Sequence, residues 1–129
     1  MTNGLVRSPN ISFEDVSHET LEKIKTYLHL LMRWNQSLSL VSGQDEIWDR
    51  HVVDSVQLKN YINTSDSVAD LGSGNGFPGI ILSIIIENKI DLYEVNQKKA
   101  SFLRYVSSHL NLSINIFQDF EKTEKNMIL

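Results

Sequence analysis

The stretch Val68-Ala69-Asp70-Leu71-Gly72-Ser73-Gly74-Asn75-Gly76-Phe77-Pro78-Gly79 decides the fold of this 129-residue chain. Four of the chain's six glycines lie in it. The apolar segment Val68 to Leu71 predicts a buried strand, and Pro78 suits a first helical turn, where an amide proton would have no partner. Glycine tolerates positive φ and lets a ligand approach the backbone closely. The order of strand, glycine loop and helix is therefore typical of a nucleotide-type site.

The sequence after the glycine loop alternates between helical and strand-like patterns. We expect a helix over Pro78 to Ile86, a strand over Lys89 to Glu94, a helix over Gln97 to Leu110 and a strand over Ile114 to Phe117. Short strands that alternate with helices predict parallel βαβ units with right-handed crossovers. The fold class is therefore α/β, with a Rossmann-like doubly wound sheet.

The sequence before the loop is helical. Ser12 to Asp15 has the Ser-x-x-acid pattern of a helix start, and Ser17 can cap a long amphipathic helix that ends near Asn35 to Ser39. A second helix is expected from about Glu46 to Tyr61. We predict one domain over residues 1–129, with an N-terminal helical part at 1–62 and a cofactor-binding βαβαβ half at 63–129.

Composition narrows the functional classes. The chain has no cysteine, which excludes disulfides and thiolate metal sites and is compatible with the cytoplasm. Its longest apolar run is too short to span a bilayer, so we expect a soluble protein without membrane contact. A formal charge of −4, from 12 basic and 16 acidic residues, does not favour nucleic acid. An RNA partner would therefore have to be attracted by local patches.

Two ligands fit the loop. Residues 74–79 match G-x-G-x-x-G, and Glu94 follows Gly74 by twenty residues, as the ribose-binding acid of a dinucleotide site would. Asp70 argues against a dinucleotide, because a carboxylate at the strand end would face the diphosphate. The ammonium and sulfonium groups of S-adenosylmethionine would instead be attracted by it.

The residues from Asp70 to Gly79 resemble the D-x-G-[ST]-G-x-G-[FL]-P-G signature of the glucose-inhibited division protein B family, the small-subunit ribosomal RNA guanine-N7 methyltransferases. Trp34-Asn35 resembles the W-N of that family. Residues 50–55 resemble its R-H-x-x-D-S motif, and Lys98 or Lys99 with Phe102-Leu103 resembles its K-[KR]-x-x-F-L helix. The resemblance runs from about Leu21 to Phe117.

This resemblance implies a methyltransferase that uses S-adenosylmethionine to modify guanine N7 of small-subunit (16S) ribosomal RNA. The implied cofactor-binding residues are Asp70, Gly72, Gly74, Phe77, Glu94, Glu121 and Lys122, with Glu94 on the ribose and the last two on the adenine side. The sequence departs from the family there, since Phe120-Glu121-Lys122 replaces an Arg-small-Glu pattern. Because guanine N7 carries a lone pair and no proton, no general base is needed, and we assign no catalytic residue.

The resemblance also places Arg50 and His51 at the RNA substrate, on one helical face with Asp54 and Ser55. The alternative for this face is a surface ion pair between Arg50 and Asp54, at i,i+4 spacing. Tyr27 could stack on bases, as could Trp34, but their helical spacing favours core positions.

The chain ends at Met127-Ile128-Leu129, where the resembled seven-stranded fold would begin its fourth strand. In the strand order 3-2-1-4-5-7-6, the strand Val68 to Leu71 would then be an edge, or covered only by the last three residues. We expect self-association through that edge or weak cofactor binding, with little or no activity. The alternatives are a non-catalytic remnant or interaction module and, disfavoured by Asp70, an NAD-dependent oxidoreductase.

Overall fold

A computed structural model describes residues 16–37, 44–119 and 127–129. Its helices are α1 (His18–Ser37), α2 (Gln44–Leu58), α3 (Gly79–Ile85) and α4 (Gln97–Leu110), and a 3-10 turn at Lys59–Tyr61 follows α2. Its strands are β1 (Val68–Leu71), β2 (Ile90–Tyr93), β3 (Ile114–Phe117) and β4 (Met127–Ile128). The expected helix start at Ser12 to Asp15 lies outside the described residues. Within those residues, no helix is both long enough and apolar enough to cross a membrane.

The four strands form one parallel sheet in the order β3-β2-β1-β4. Val68 pairs with Ile90 on one side and with Met127 on the other. Of the two arrangements expected for β1, the structure therefore has the second: the last three residues cover it, and the Leu129 amide donates to the Ala69 carbonyl oxygen (2.8 Å). The predicted α/β class is confirmed, and β1 is an inner strand rather than an edge.

Helix α1 packs its apolar stripe against α3 and α4. The Thr20 amide donates to Ser17 Oγ (3.1 Å), so the predicted cap is present. Ile24, Tyr27 and Leu31 are fully buried, because their three- and four-residue spacing places them on one face. The core position expected for Tyr27 is confirmed. Helix α2 packs against α3 through its own buried face.

The short helix α3 lies between the sheet and the two N-terminal helices. Ile80, Ile81 and Leu82 are consecutive and fully buried, which is possible because α3 has neighbours on several sides. The helix begins at Gly79, with Pro78 as its N-cap residue, one position later than expected. The glycine loop thus leads directly from the sheet into a buried helix.

Helix α4 has the bounds predicted from the sequence. Asn96 is its N-cap, with Oδ1 accepting a hydrogen bond from the Lys99 amide (3.0 Å). Asn111 ends the helix in the left-handed conformation, with φ of 55°. The Asn96 cap fixes the chain immediately after β2, where Glu94 lies.

Replacing the N-cap of α4 should lower the stability of the fold. We expect Asn96→Ala to reduce the free energy of unfolding by about 1 kcal/mol, because the Lys99 amide loses its partner. Asn96→Ser should retain most of the stability, since serine also caps helices. Urea denaturation measures both variants, and an alanine variant as stable as the parent would contradict the assigned cap.

Candidate cofactor-binding site

The glycine loop between β1 and α3 crosses the carboxyl end of β2. The amides of Gly72 and Ser73 both donate to the Tyr93 carbonyl oxygen, at 2.8 and 3.1 Å. The loop then turns back, with the Gly76 amide donating to the Ser73 carbonyl oxygen (2.8 Å). Carboxyl ends of parallel strands are where α/β sheets bind ligands, so the fold places this loop at a crevice.

Asp70 lies beneath the loop. Its side chain is 3% exposed, and Oδ2 accepts a hydrogen bond from the Gly79 amide (3.1 Å) at the start of α3. A Cβ atom on residue 79 would lie 2.6 Å from that oxygen and would also collide with Leu92. Only glycine therefore fits at position 79.

Burial raises the pKa of Asp70 from its ordinary 3.8 to about 6. The hydrogen bonds from Ser73 and Gly79 oppose this rise in pKa, and the negative charge of Glu94 adds to it. The loop therefore covers a carboxyl group that ionises reluctantly. A cationic ligand nearby would favour the ionised form.

Glu94 holds the loop from the neighbouring strand. It is 7% exposed, and its Oε1 accepts from the Gly74 amide (2.7 Å) while Oε2 accepts from the Asn96 amide (2.9 Å). A carboxylate has about four acceptor positions, and these two backbone bonds use two of them. The ribose-binding role expected for Glu94 stays a prediction.

Tyr27 of α1 holds the loop from the side of the N-terminal helices. Its hydroxyl donates to the Asn75 carbonyl oxygen (2.6 Å), and its ring packs edge-on against Phe77, with centroids 5.5 Å apart. A Cβ atom on residue 76 would lie 2.8 Å from the Tyr27 oxygen, so Gly76 is required for this contact. Burial, with the nearby charge of Asp70, raises the pKa of Tyr27 well above its ordinary value. Its hydroxyl therefore stays protonated and continues to donate to the loop.

The structure brings His51 to the loop and separates the other members of its motif. The imidazole of His51 stacks on Phe77, with centroids 5.0 Å apart and planes at 23°. Arg50 is exposed beside it, whereas Ser55 is buried and donates to the His51 carbonyl oxygen (2.7 Å). The exposed helical face that was predicted to contain Ser55 therefore does not include it. Asp54 is exposed and, within the described residues, forms no ion pair with Arg50.

Three apolar side chains lie exposed at, or just after, the carboxyl ends of β1, β2 and β3. Leu71 is 41% exposed, Val95 57% and Phe117 41%, with the Phe117 ring stacked on Tyr93 at 5.1 Å. These three side chains were not predicted as site residues, because apolar residues in or beside strands ordinarily belong to the core. Space is also open above Gly72, where an added Cβ atom would meet nothing within 4 Å. Glu121 and Lys122 lie outside the described residues.

The sequence matches the model of the GidB family, described as rRNA small subunit methyltransferase G, over residues 20–127. The chain belongs to this family. It is similar to ribosomal RNA small subunit methyltransferase G of Orientia tsutsugamushi (45% identity, 85% of this chain and 57% of that protein). It is also similar to the proteins of that name from Gluconobacter oxydans (46%, covering 69% and 47%) and Rickettsia akari (42%, covering 84% and 59%). This GidB-family chain thus spans about half to three fifths of their length.

A solved structure shares the fold. A mutant of MtNAS, solved in complex with S-adenosylmethionine, is similar with a TM-score of 0.57 over 96% of this chain and 59% of that chain. Because the sequence identity is only 14%, this similarity supports the fold alone. The arrangement of helices and strands in this chain is therefore one that a solved structure also has.

Removing only the Tyr27 hydroxyl should loosen the loop. We expect Tyr27→Phe to lose about 1 kcal/mol of unfolding free energy, because the partly buried Asn75 carbonyl loses its donor while the ring packing is kept. Tyr27→Ala should cost about 3 to 5 kcal/mol, since the buried ring is also lost. Chemical denaturation distinguishes the two, and equal stability of Tyr27→Phe and the parent would contradict the assigned bond.

Asp70 should make stability fall as the pH rises. Because its folded pKa of about 6 exceeds the ordinary 3.8, the folded state holds the proton more tightly. The resulting stabilisation, up to about 3 kcal/mol, is complete below about pH 4 and is lost as the pH rises through about 6.

Unfolding free energies measured from about pH 4 to pH 7 test this dependence. Asp70→Asn should lack the Asp70 component, while Asp54→Asn, at an exposed carboxylate, should keep the parent profile. Parallel profiles for Asp70→Asn and the parent would show that Asp70 does not carry the effect.

Proposed function

We propose that this chain binds S-adenosylmethionine with its glycine loop and supplies the cofactor-binding half of a methyltransferase that acts on small-subunit ribosomal RNA. The observation that carries the proposal is the bonding of the loop by two acidic side chains, Asp70 at Gly79 and Glu94 at Gly74. Membership of the GidB family and the names of the relatives support the same activity.

The charges at the loop favour a cationic cofactor over a dinucleotide. Among the described residues, the charged side chains that bond the loop backbone are Asp70 and Glu94, and both are acids. A diphosphate in this partly desolvated crevice would meet like charge, whereas an ammonium and a sulfonium would meet opposite charge. The nicotinamide-linked alternative therefore has the less favourable electrostatics.

The residues around the loop fit the parts of S-adenosylmethionine. Glu94 has acceptor positions for the two ribose hydroxyls, and open space above Gly72 admits the methionine part to the backbone. Val95 and Phe117 offer apolar surface for the adenine ring. Asp70 would act from beneath the loop, where it holds the Gly79 amide in position and its negative charge would attract the cationic cofactor. Glu121 and Lys122 stay proposed for the adenine side, and Phe77 for contact with the cofactor.

The chemistry requires positioning rather than proton transfer. S-adenosylmethionine supplies a methyl group on a sulfonium, and guanine N7 has a lone pair without a proton, so no side chain need act as a base. The chain's contribution is to hold the target in line with the methyl group. Phe77 with the stacked His51 provides an aromatic border for a base, and Arg50 beside it provides a charge for phosphate.

The proposed substrate also has implications for the location and the partners of the protein. An enzyme of ribosomal RNA in bacteria of the kind named above would act in the cytoplasm, away from membranes. Self-association through the sheet would use the outer side of β4, where Ile128 is 52% exposed.

Calorimetric titration with S-adenosylhomocysteine and with NAD tests the proposed cofactor. We expect the first to bind and the second not to bind. Glu94→Gln should weaken binding about tenfold or more, because hydrogen bonds to a charged acceptor are lost. Glu87→Gln, which removes the same charge from an exposed position, should bind as the parent does.

Three results would contradict parts of this proposal. Binding of NAD alone would overturn the cofactor assignment, and binding of neither compound would favour a non-catalytic remnant. Equal affinity of Glu94→Gln and the parent would remove Glu94 from the site. Thermal unfolding of each variant separates lost binding from lost folding.

A further inference from the structure

A groove separate from the glycine loop lies between α1 and α4. It has a volume of about 330 Å³ and is lined by Leu30, Arg33, Trp34, Phe102 and Tyr105. We call it the aromatic groove. The Trp34 ring packs on Phe102, with centroids 5.2 Å apart, while Tyr105 is 52% exposed and Arg33 is exposed. Flat apolar rings beside a guanidinium provide a surface on which planar groups stack.

The helices that border the aromatic groove are locally basic, although the chain carries a net charge of −4. Helix α4 contains Lys98 and Lys99 in its first turn and no acidic residue, and α1 has no acid after Glu22. Lys98 precedes Tyr105 by two helical turns, so the two side chains start from the same side of α4. Phosphate groups would therefore meet local positive charge at the aromatic groove, although the net charge of the chain is negative.

The aromatic groove lies within a short distance of the glycine loop. Tyr27 of α1 bonds the loop at Asn75, and Trp34 follows seven residues later, about 10 Å along the same helix. An RNA strand whose target base enters the crevice at the loop would therefore pass its neighbouring nucleotides close to α1.

We infer that the aromatic groove binds an unpaired nucleobase of RNA, stacked with Tyr105, while Arg33 and Lys98 contact the flanking phosphates. This inference rests on the proposed function, which supplies the RNA, and assigns a second contact for it outside the cofactor crevice. The exposed cation within the groove favours RNA over an apolar peptide, because a peptide helix would leave Arg33 without an anionic partner.

Fluorescence anisotropy of the 129-residue chain with a short, labelled, single-stranded oligoribonucleotide of mixed sequence tests the stacking. Tyr105→Ala should weaken binding about tenfold, as expected when a base loses an aromatic platform. Tyr105→Phe should bind as the parent does, because the ring is kept. Since Tyr105 is half exposed, both variants should fold.

A matched pair of charge variants tests the phosphate contacts. Arg33→Gln should weaken binding and lower the slope of log affinity against log salt by about one. Arg104→Gln removes the same charge from α4, but Arg104 Nη1 already donates to Oε1 of Gln118, the residue immediately after β3 (3.0 Å). It should therefore change affinity by less than about twofold.

The outcomes separate this inference from the proposed function. S-adenosylhomocysteine affinity should be unchanged in Tyr105→Ala. Oligoribonucleotide binding that is sensitive to Tyr105, in a chain that binds no S-adenosylhomocysteine, would support the groove and contradict the proposed cofactor. No binding by the parent, equal binding by Tyr105→Ala, or equal effects of Arg33→Gln and Arg104→Gln would overturn the inference, and the first result would point to a protein partner.

Discussion

The Gly79 amide donates a hydrogen bond to the buried carboxyl group of Asp70, and this contact brings the start of α3 against the end of β1. No side chain can stand at residue 79, because a Cβ atom would collide with Asp70 and Leu92. The path of the loop between strand and helix follows from this close approach. Because α3 carries three consecutive fully buried side chains between the sheet and the N-terminal helices, the packing of both layers depends on the same bond.

Two further contacts turn this junction into a site with a defined shape. Glu94 joins the loop to β2 and Tyr27 joins it to α1, so three separate parts of the chain fix one short segment. Fixing the loop before a ligand binds reduces the entropy that binding would otherwise cost. The acids also leave negative charge under the crevice, and the raised pKa of Asp70 shows that this charge is costly without a cation. Under the proposed function, cofactor affinity and loop stability would depend on the same groups.

Much of this arrangement could be predicted from the sequence, because local patterns determine it. The limits of β1, α4 and β3 follow from apolar runs and caps, and the glycine spacing indicates the loop. The Tyr27 hydroxyl bond could not be predicted, since its partner Asn75 lies 48 residues away and helical spacing indicates only a buried ring. The bond from the Gly79 amide to Asp70 was not predicted either, because the pattern indicates only a carboxylate at the end of a strand. The role of Asp70 toward a ligand stays a prediction. Ser55 was grouped with Arg50 by spacing alone, and packing of α2 on α3 buries it.

The central claim is that the protein itself fixes the glycine loop, in readiness for a cofactor. Amide hydrogen exchange of Gly74 and Gly79, measured by NMR on the ligand-free chain, tests it most directly. Both amides are bonded to buried carboxyl groups, so the account predicts slow exchange, with an opening free energy of about 2 kcal/mol or more. Exchange of both amides at the rate of an unstructured peptide would contradict it, because the loop would then take its shape only when a ligand is bound.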